Sequence, residues 1–274
     1  MKSAGRWVAF AVLILMVLTI LFPLYLVVVN AFKTFPEVVA NVLALPQSFG
    51  IENFEEAFLR MSYPTSFLNT LIVTVLGTAG IVFLAALSGY QIARHKTRSA
   101  KVIFFLLIIP IMIPFQSFML SLVRWTSILG IYESMWGLSI VYWACGIPMA
   151  VFLYRGFVLS IPRELDEAAS IDGCNAFQTF FRVILPILKP VNATVIVINA
   201  MWIWNDFLLP RLIIGFNTGH FTLQLQAVQF RGMYRMEWQL IMAGFLLTLI
   251  PAIVIYLIFQ KQIVKGMVAG AVKG

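Results

Sequence analysis

The sequence predicts an all-α membrane protein with six transmembrane helices. Hydrophobic residues make up 61% of the 274-residue chain and charged residues only 11%, whereas about a quarter of the residues in soluble domains are charged. The mean hydropathy is +0.95. A soluble protein of this composition would expose large apolar patches, so lipid is the solvent that suits it. The apolar residues also fall into six runs of roughly 20 residues, the length of a helix that crosses a bilayer.

The six apolar runs define the predicted spans and form a single transmembrane domain, 1–274. The spans must be helical, because lipid leaves the backbone groups of an open strand unsatisfied. The alternation of apolar and polar residues that marks a membrane barrel is absent from the sequence. The runs cover residues 7–29, 66–90, 102–122, 137–159, 191–209 and 240–259. Prolines within or near them predict bends in otherwise continuous helices: Pro110, Pro114, Pro148 and Pro251.

The net charge of +8 is distributed between the loops in a way that predicts orientation. Thirteen of the 19 Lys and Arg residues lie in the segments 1–6, 91–101, 155–190 and 260–274. Basic residues accumulate in cytoplasmic loops, so both termini are predicted to be cytoplasmic, with the loops 31–65 and 210–238 outside. Short basic clusters between apolar runs set membrane orientation more often than they bind nucleic acid, so no nucleic-acid partner is predicted.

The sequence contains no recognisable catalytic, metal-binding or nucleotide-binding motif. A phosphate-binding Walker A loop is missing, and His95 and His220 fall on opposite sides of the membrane in this topology. Cys145 and Cys174 are predicted to be free thiols. Acidic residues are absent from the span centres, with Asp206 the nearest. A carrier driven by protons or sodium usually needs an ionisable group or a broken-helix ion site there. We therefore predict that the chain is not an enzyme and has no resident cofactor. The energy for transport is predicted to come from another protein.

The connection between the fourth and fifth spans, residues 160–190, predicts two short helices. Pro162 sits at a helix start. Acidic residues crowd the first turns, where the positive helix end stabilises them: Glu164, Asp166 and Glu167. Asp172-Gly173 is a stop signal, and a second helix follows Asn175 and ends at Pro186. A rigid elbow of this kind suits docking to another protein. An amphipathic helix pair lying on the lipid surface is the alternative reading.

The same loop carries a family resemblance. The run from Glu167 through Ala168 and Ala169 to Asp172-Gly173, followed by Ile184-Leu185-Pro186, resembles the EAA motif of binding-protein-dependent ABC importer permeases. The flanking segments 160–167 and 204–210 and the tail 265–274 are similar to the MalG-like carbohydrate branch. Cys174 departs from the small alanine that is more usual after the glycine.

The resemblance implies a type I importer fold in a bacterial or archaeal cytoplasmic membrane, with the loop as a coupling helix. It also implies that a cytoplasmic ABC ATPase dimer binds ATP, that a second MalF-like permease completes the pore, and that an extracytoplasmic sugar-binding protein delivers a mono- or oligosaccharide. The implied ATPase-coupling residues are Glu164, Glu167, Ala168, Ala169, Asp172, Gly173, Ile184, Leu185 and Pro186. The resemblance also implies that the tail, Val272, Lys273 and Gly274, contacts the ATPase. Its glycines favour an extended rather than a helical segment over 266–274.

The sequence offers candidates for the sugar path, all polar or aromatic residues in or near the spans: Asn69, Gln116, Asn199, Trp204 and Asn205. Such groups also hold membrane helices together, which is the competing interpretation. Two functional alternatives remain open. One is an ABC importer permease for another solute, such as glycerol phosphate or a peptide, and the other is a self-sufficient secondary carrier.

The charge distribution yields a test of topology. In a background lacking Cys145 and Cys174, the variants Ser48→Cys and Thr218→Cys are expected to react with a membrane-impermeant thiol reagent in whole cells. The variant Arg98→Cys is expected to react only after the membrane is opened. Protection of both outer positions together with labelling of Arg98→Cys would overturn the orientation.

Overall fold

The computed structural model describes residues 2–215, 219–230 and 236–271, with side chains placed at 6–215, 219–230, 236–257 and 260. Helices make up almost all of the regular structure in this part of the chain. In order they are α1 (Lys2–Ala31), α2 (Phe35–Ala40), α3 (Glu52–Arg60), α4 (Tyr63–Arg94), α5 (Arg98–Met112), α6 (Phe115–Ile128), α7 (Met135–Val158), α8 (Glu164–Ile171), α9 (Ala176–Gln178), a π-helix (Thr179–Ile184), α10 (Leu185–Ile187), α11 (Lys189–Asn205), α12 (Leu208–Ile213), α13 (Leu223–Ala227) and α14 (Trp238–Ala271).

Four of the described helices are long and apolar enough to cross a membrane by themselves. They are the segments Arg6–Ala31, Tyr63–Arg94, Met135–Val158 and Trp238–Leu257. Two bent pairs, α5 with α6 and the segment Ala176–Ile187 with α11, raise the number to six if each pair counts as one span. The predicted six-helix architecture agrees with this upper count.

The third predicted span, 102–122, is not one continuous helix. α5 ends at Met112, α6 begins at Phe115, and the two axes meet at an angle of 108°. Pro114 is the cause, because a residue that precedes proline is pushed out of the helical region. Ile113 accordingly has the extended torsion angles φ −91° and ψ 122°. The sequence predicted a bend here, and the structure shows a sharp break between two helices.

The fifth predicted span, 191–209, ends earlier than expected. α11 stops at Asn205, and Asp206 is extended, with φ −75° and ψ 133°. The Asp206 carboxylate accepts a hydrogen bond from the backbone N–H of Leu208 at 2.9 Å. Aspartate can offer the backbone this local alternative to helical hydrogen bonding, so a short separate helix, α12, replaces the last turn of the predicted span.

The chain divides into two compact units, of which the first comprises residues 1–67 and 222–253. Within it, the connection after α1 folds over a lysine side chain that is buried. The Lys33 ammonium donates to Asn30 Oδ1 at 3.0 Å and to the Asn41 carbonyl at 2.9 Å. Asn53 donates to the carbonyls of Ala31 and Lys33, both at 2.8 Å. These bonds satisfy the backbone at the end of α1 and compensate the buried charge.

The second unit comprises residues 68–221 and 254–274, and its core lies where α4, α7 and α11 pack together. The packing between α4 and α7 is close enough to require glycine at Gly80. A side chain there would collide with the indole of Trp143, whose Nε1 donates to the carbonyl of Leu76 at 2.9 Å. At Gly146 on α7, an added Cβ would collide with Ile81 on α4. This interlocking fixes α4 and α7 relative to one another, and the two helices end beside the loop 160–190.

Candidate functional site

The loop 160–190 begins with α8, which ends in a complete Schellman motif. Gly173 has φ +83°, a conformation that strongly favours glycine. The N–H of Cys174 donates to the carbonyl of Ala169 at 2.9 Å, and the N–H of Gly173 donates to Ser170 at 3.1 Å. These are the two bonds that define the motif. The predicted stop at Asp172-Gly173 is thereby confirmed, and Cys174 takes part only through its backbone.

The second half of the loop starts with a capping box. The Asn175 side chain accepts from the N–H of Gln178 at 2.9 Å, and the Gln178 side chain accepts from the N–H of Asn175 at 2.9 Å. The helix start predicted after Asn175 is therefore confirmed. The sequence did not indicate the π-helix Thr179–Ile184 that follows. Pro186 provides its physical reason, since a proline ring clashes with the carbonyl four residues earlier and a wider helix relieves that clash.

The predicted coupling residues divide into an exposed set and a buried set. The exposed residues are Glu164, Glu167, Ala168, Asp172, Gly173 and Pro186. Ala169 and Ile184 are buried, and Leu185 is half-buried. Ile184 belongs to the hydrophobic core of the second unit, so it holds the loop in place and does not contribute to its outer surface.

Two large apolar side chains, which the sequence prediction did not single out for docking, extend the exposed surface on either side of the glycine. Ile171 is 86% exposed and Phe177 is 67% exposed. An isolated exposed apolar side chain needs no explanation, but here two of them flank a rigid turn next to the acidic residues Glu167 and Asp172. Acidic and apolar side chains on one rigid elbow form a surface suited to a protein partner.

The end of α4 anchors the start of α8. The Tyr90 hydroxyl donates to Asp166 Oδ1 at 2.5 Å, and Arg94 Nη2 lies 2.7 Å from Asp166 Oδ2. Sequence reasoning did not find this cluster, because Asp166 lies more than 70 positions from both partners and no local pattern connects them.

The candidate sugar-path residues are not gathered at one place. Asn199 and Trp204 are buried, and Asn199 donates to the carbonyl of Val195 at 2.8 Å. Asn69 is half-buried and donates to the carbonyl of Phe221 at 3.1 Å. Gln116 and Asn205 are exposed. Of the five candidates, only these two are exposed.

A cavity of about 420 Å³ opens beside the break between α5 and α6, a volume within the usual range of ~300–1,000 Å³ for ligand pockets. Phe115, Cys145, Trp202 and Asp206 contribute to its walls. Asp206 also accepts a hydrogen bond from the Tyr142 hydroxyl at 2.9 Å. The cavity is mainly apolar, with one carboxylate that is already hydrogen-bonded. In the sequence, Pro114 was the signal that could have indicated this cavity, because a proline forces the residue before it into an extended conformation.

The predicted tail contacts, Val272, Lys273 and Gly274, lie outside the described residues. The expectation of an extended segment is wrong for residues 266–271, because α14 continues as a helix to Ala271. Each glycine costs only about 1 kcal/mol in a helix, and extending an existing long helix avoids the cost of nucleation.

Comparison with known proteins assigns the chain to a family. Residues 81–269 match the family described as binding-protein-dependent transport system inner membrane component. The chain is 38% identical over 253 residues to the probable starch degradation products transport system permease protein AmyC of Thermoanaerobacterium thermosulfurigenes, covering 92% of this chain and 91% of that protein. It is 37% identical over 257 residues to the multiple sugar-binding transport system permease protein MsmG of Streptococcus mutans, covering 93% and 92%.

A solved structure confirms the fold class. A chain of a bacterial ABC transporter involved in the import of the acidic polysaccharide alginate superposes with a TM-score of 0.79, at 20% identity, over 95% of this chain and 96% of that one. The family match covers well over half of this chain, and the sequence relatives extend over nearly all of it. The chain therefore belongs to the binding-protein-dependent transport system inner membrane component family and is a permease component of an ABC transporter, not an enzyme.

Proposed function

We propose that the chain is a transmembrane permease subunit of an ATP-driven carbohydrate importer and that it is coupled to a cytoplasmic ATPase through α8 and the turn at Gly173. The observation that carries the coupling is the rigid Schellman turn, with acidic and apolar side chains exposed around it. The names of the relatives support a sugar as the substrate: starch degradation products for one, multiple sugars for another, and melibiose, raffinose and stachyose for a third, MelC of Bacillus subtilis, which is 35% identical over 84% of this chain.

The proposal includes the partners that such a subunit needs. The sequence has no phosphate-binding loop, so ATP is bound by a separate ATPase dimer, and this chain requires no cofactor of its own. A second permease subunit completes the pathway, and an extracytoplasmic sugar-binding protein delivers the substrate. The excess of Lys and Arg in the segments that include the loop 160–190 supports both termini and α8 being on the cytoplasmic side, where an ATPase can reach them.

Coupling through the loop predicts the behaviour of three variants. Gly173→Val forces a β-branched residue into a positive-φ conformation, which costs about 1–2 kcal/mol and unravels the turn. Glu167→Lys reverses an exposed charge on the docking surface. Both variants are expected to reach the membrane at normal levels, to lose the ATPase on purification in mild detergent, and to take up labelled sugar at least roughly tenfold more slowly.

Gly173→Asn is the matched control, because asparagine tolerates positive φ and, apart from the two residues adjacent to Gly173, no described residue lies within 4 Å of the added Cβ. It is expected to retain more ATPase and more uptake than Gly173→Val. If Gly173→Val itself keeps wild-type ATPase and uptake, the loop is an ordinary surface helix pair and the proposed coupling is wrong.

The C-terminal tail is proposed as a second contact with the ATPase, on the strength of the family resemblance of residues 265–274. Deleting residues 267–274 is expected to lower sugar uptake per ATP hydrolysed while leaving the amount of chain in the membrane unchanged. The measurement is uptake alongside ATP hydrolysis in reconstituted complexes. Normal coupling by the truncated chain would indicate a terminus without a role in the complex.

For the sugar path, we propose that the exposed amides of Asn205 and Gln116 contact the substrate, whereas Asn199, Trp204 and Asn69 hold the helices together. Asn205→Ala is expected to raise the sugar concentration for half-maximal uptake roughly 2- to 10-fold, the effect of losing one hydrogen bond. Thr194→Ala is the control, because Thr194 lies on the same helix and, like Asn205, donates to the carbonyl four residues earlier.

The assay compares labelled melibiose, raffinose and maltodextrins with labelled glycerol 3-phosphate. Uptake of glycerol 3-phosphate in place of any sugar would favour the alternative importer. Ion-driven uptake by the chain alone in proteoliposomes would favour a secondary carrier.

A further inference from the structure

Three helix ends meet at Arg94, the last residue of α4. Its Nη1 donates to the carbonyls of Val158 at 3.3 Å and Ile161 at 3.0 Å, at and just beyond the end of α7. Its Nη2 lies 2.7 Å from Asp166 Oδ2, in the first turn of α8. One guanidinium therefore contacts the elements on both sides of the short connection between α7 and α8.

The charges at this point complement one another. The end of α7 carries partial negative charge on its terminal carbonyls, which a cation stabilises. An acidic residue is stabilised at the start of α8 by the opposite helix end. The Arg94 and Asp166 side chains are only 11% and 20% exposed, so little water is available to replace either partner. Loss of one partner would leave a partly buried charge uncompensated.

Further contacts connect the start of α8 back to the end of α4. Arg163, immediately before α8, donates through Nη2 to the carbonyl of Arg94 at 2.8 Å and so satisfies the end of α4. Tyr90, one helical turn before Arg94, donates to Asp166 Oδ1 at 2.5 Å. The Tyr90 ring packs against Phe180 of the π-helix, with centroids 5.3 Å apart. The joint thus also reaches the second half of the loop.

We propose that Arg94, Asp166 and Tyr90 are positioning residues that form a transmission joint, which makes α8 move together with α4 and α7 when the ATPase moves α8. The inference rests on the proposed function of α8 as the coupling helix. The joint is distinct from the docking surface, because its three side chains face into the second unit while Glu167, Ile171 and Phe177 are exposed. Docking and transmission are therefore separable by mutation.

The alternative route from the loop into the membrane is less direct. It runs through the π-helix and the 78° bend that precedes α11. The ion pair and the hydrogen bonds of Arg94, in contrast, connect α8 to two long helices without an intervening break.

The test uses the complete complex reconstituted in proteoliposomes with its ATPase, partner permease and sugar-binding protein. Arg94→Gln removes the charge and most of the donors, while Arg94→Lys keeps the charge and loses the fork of donors that reaches several acceptors. Arg94→Gln is expected to copurify with the ATPase at a level within about twofold of wild type while sugar uptake falls roughly tenfold, a size typical of coupling between sites. Arg94→Lys is expected to lie between the two.

The decisive readout is the ratio of ATP hydrolysis with and without the sugar-loaded binding protein. A variant that is only less well folded yields less complex but leaves this ratio unchanged, whereas a failed joint lowers the ratio in complexes of normal composition. Tyr90→Phe supplies a milder variant should Arg94→Gln fail to accumulate. It removes one hydrogen bond, keeps the ring against Phe180, and is expected to lower the ratio roughly 2- to 10-fold.

Arg98→Gln is the matched control, since it removes the same charge from an exposed position four residues further along. It is expected to behave as wild type. Wild-type uptake and wild-type stimulation of ATP hydrolysis in both Arg94→Gln and Tyr90→Phe would overturn the proposed joint. Loss of the ATPase from Arg94→Gln complexes would also overturn it, because that result would assign Arg94 to docking. Failure of the proposed function is recognised separately, because Gly173→Val would then retain the ATPase and uptake irrespective of the Arg94 variants.

Discussion

Lipid offers no hydrogen bonds to a polypeptide backbone. The structure therefore depends on how the chain provides partners for its backbone N–H and C=O groups wherever a helix ends. Long apolar helices are the simplest solution, and α1, α4, α7 and α14 adopt it. At several of the described breaks in this pattern, a particular side chain or turn replaces lost helical bonds. Asp206 caps the start of α12, the Schellman turn closes α8, and Arg94 and Arg163 satisfy the carbonyls at the ends of α7 and α4. The loop 160–190 is held by the same kinds of hydrogen bonds.

The sequence predicted those features that depend on neighbouring residues. Hydropathy identified the helical class, and local signals identified the start of α8, its end at Gly173 and the restart after Asn175, because capping motifs act within a few positions. The break at Pro114 was underestimated as a bend. Proline within a membrane helix is often accommodated by neighbouring groups, and a single sequence does not reveal whether such groups are present.

Contacts between distant positions were beyond prediction. In the sequence, Asp166 is one of three acidic residues in a predicted first helical turn, and no neighbouring residue distinguishes it from Glu164 and Glu167. Only the packing of α4 against α7 brings Tyr90 and Arg94 to it. Ile184, which belongs to the same motif as the exposed coupling residues, is a buried anchor. The motif thus combines residues that present a surface with residues that hold that surface in place, and sequence alone does not separate the two.

The distribution of polar groups within the second unit bears on where specificity for a sugar arises. Asn199 donates to its own helix, Asp206 accepts from Tyr142 and from the backbone of Leu208, and Tyr154 donates to Asn192 at 2.7 Å. A polar group that already has its partners gains little from binding a sugar hydroxyl, since it would exchange one hydrogen bond for another. Asn205 likewise donates to its own helix, at the carbonyl of Met201, so its proposed contact with a sugar depends on its exposure and on its remaining N–H and carbonyl groups.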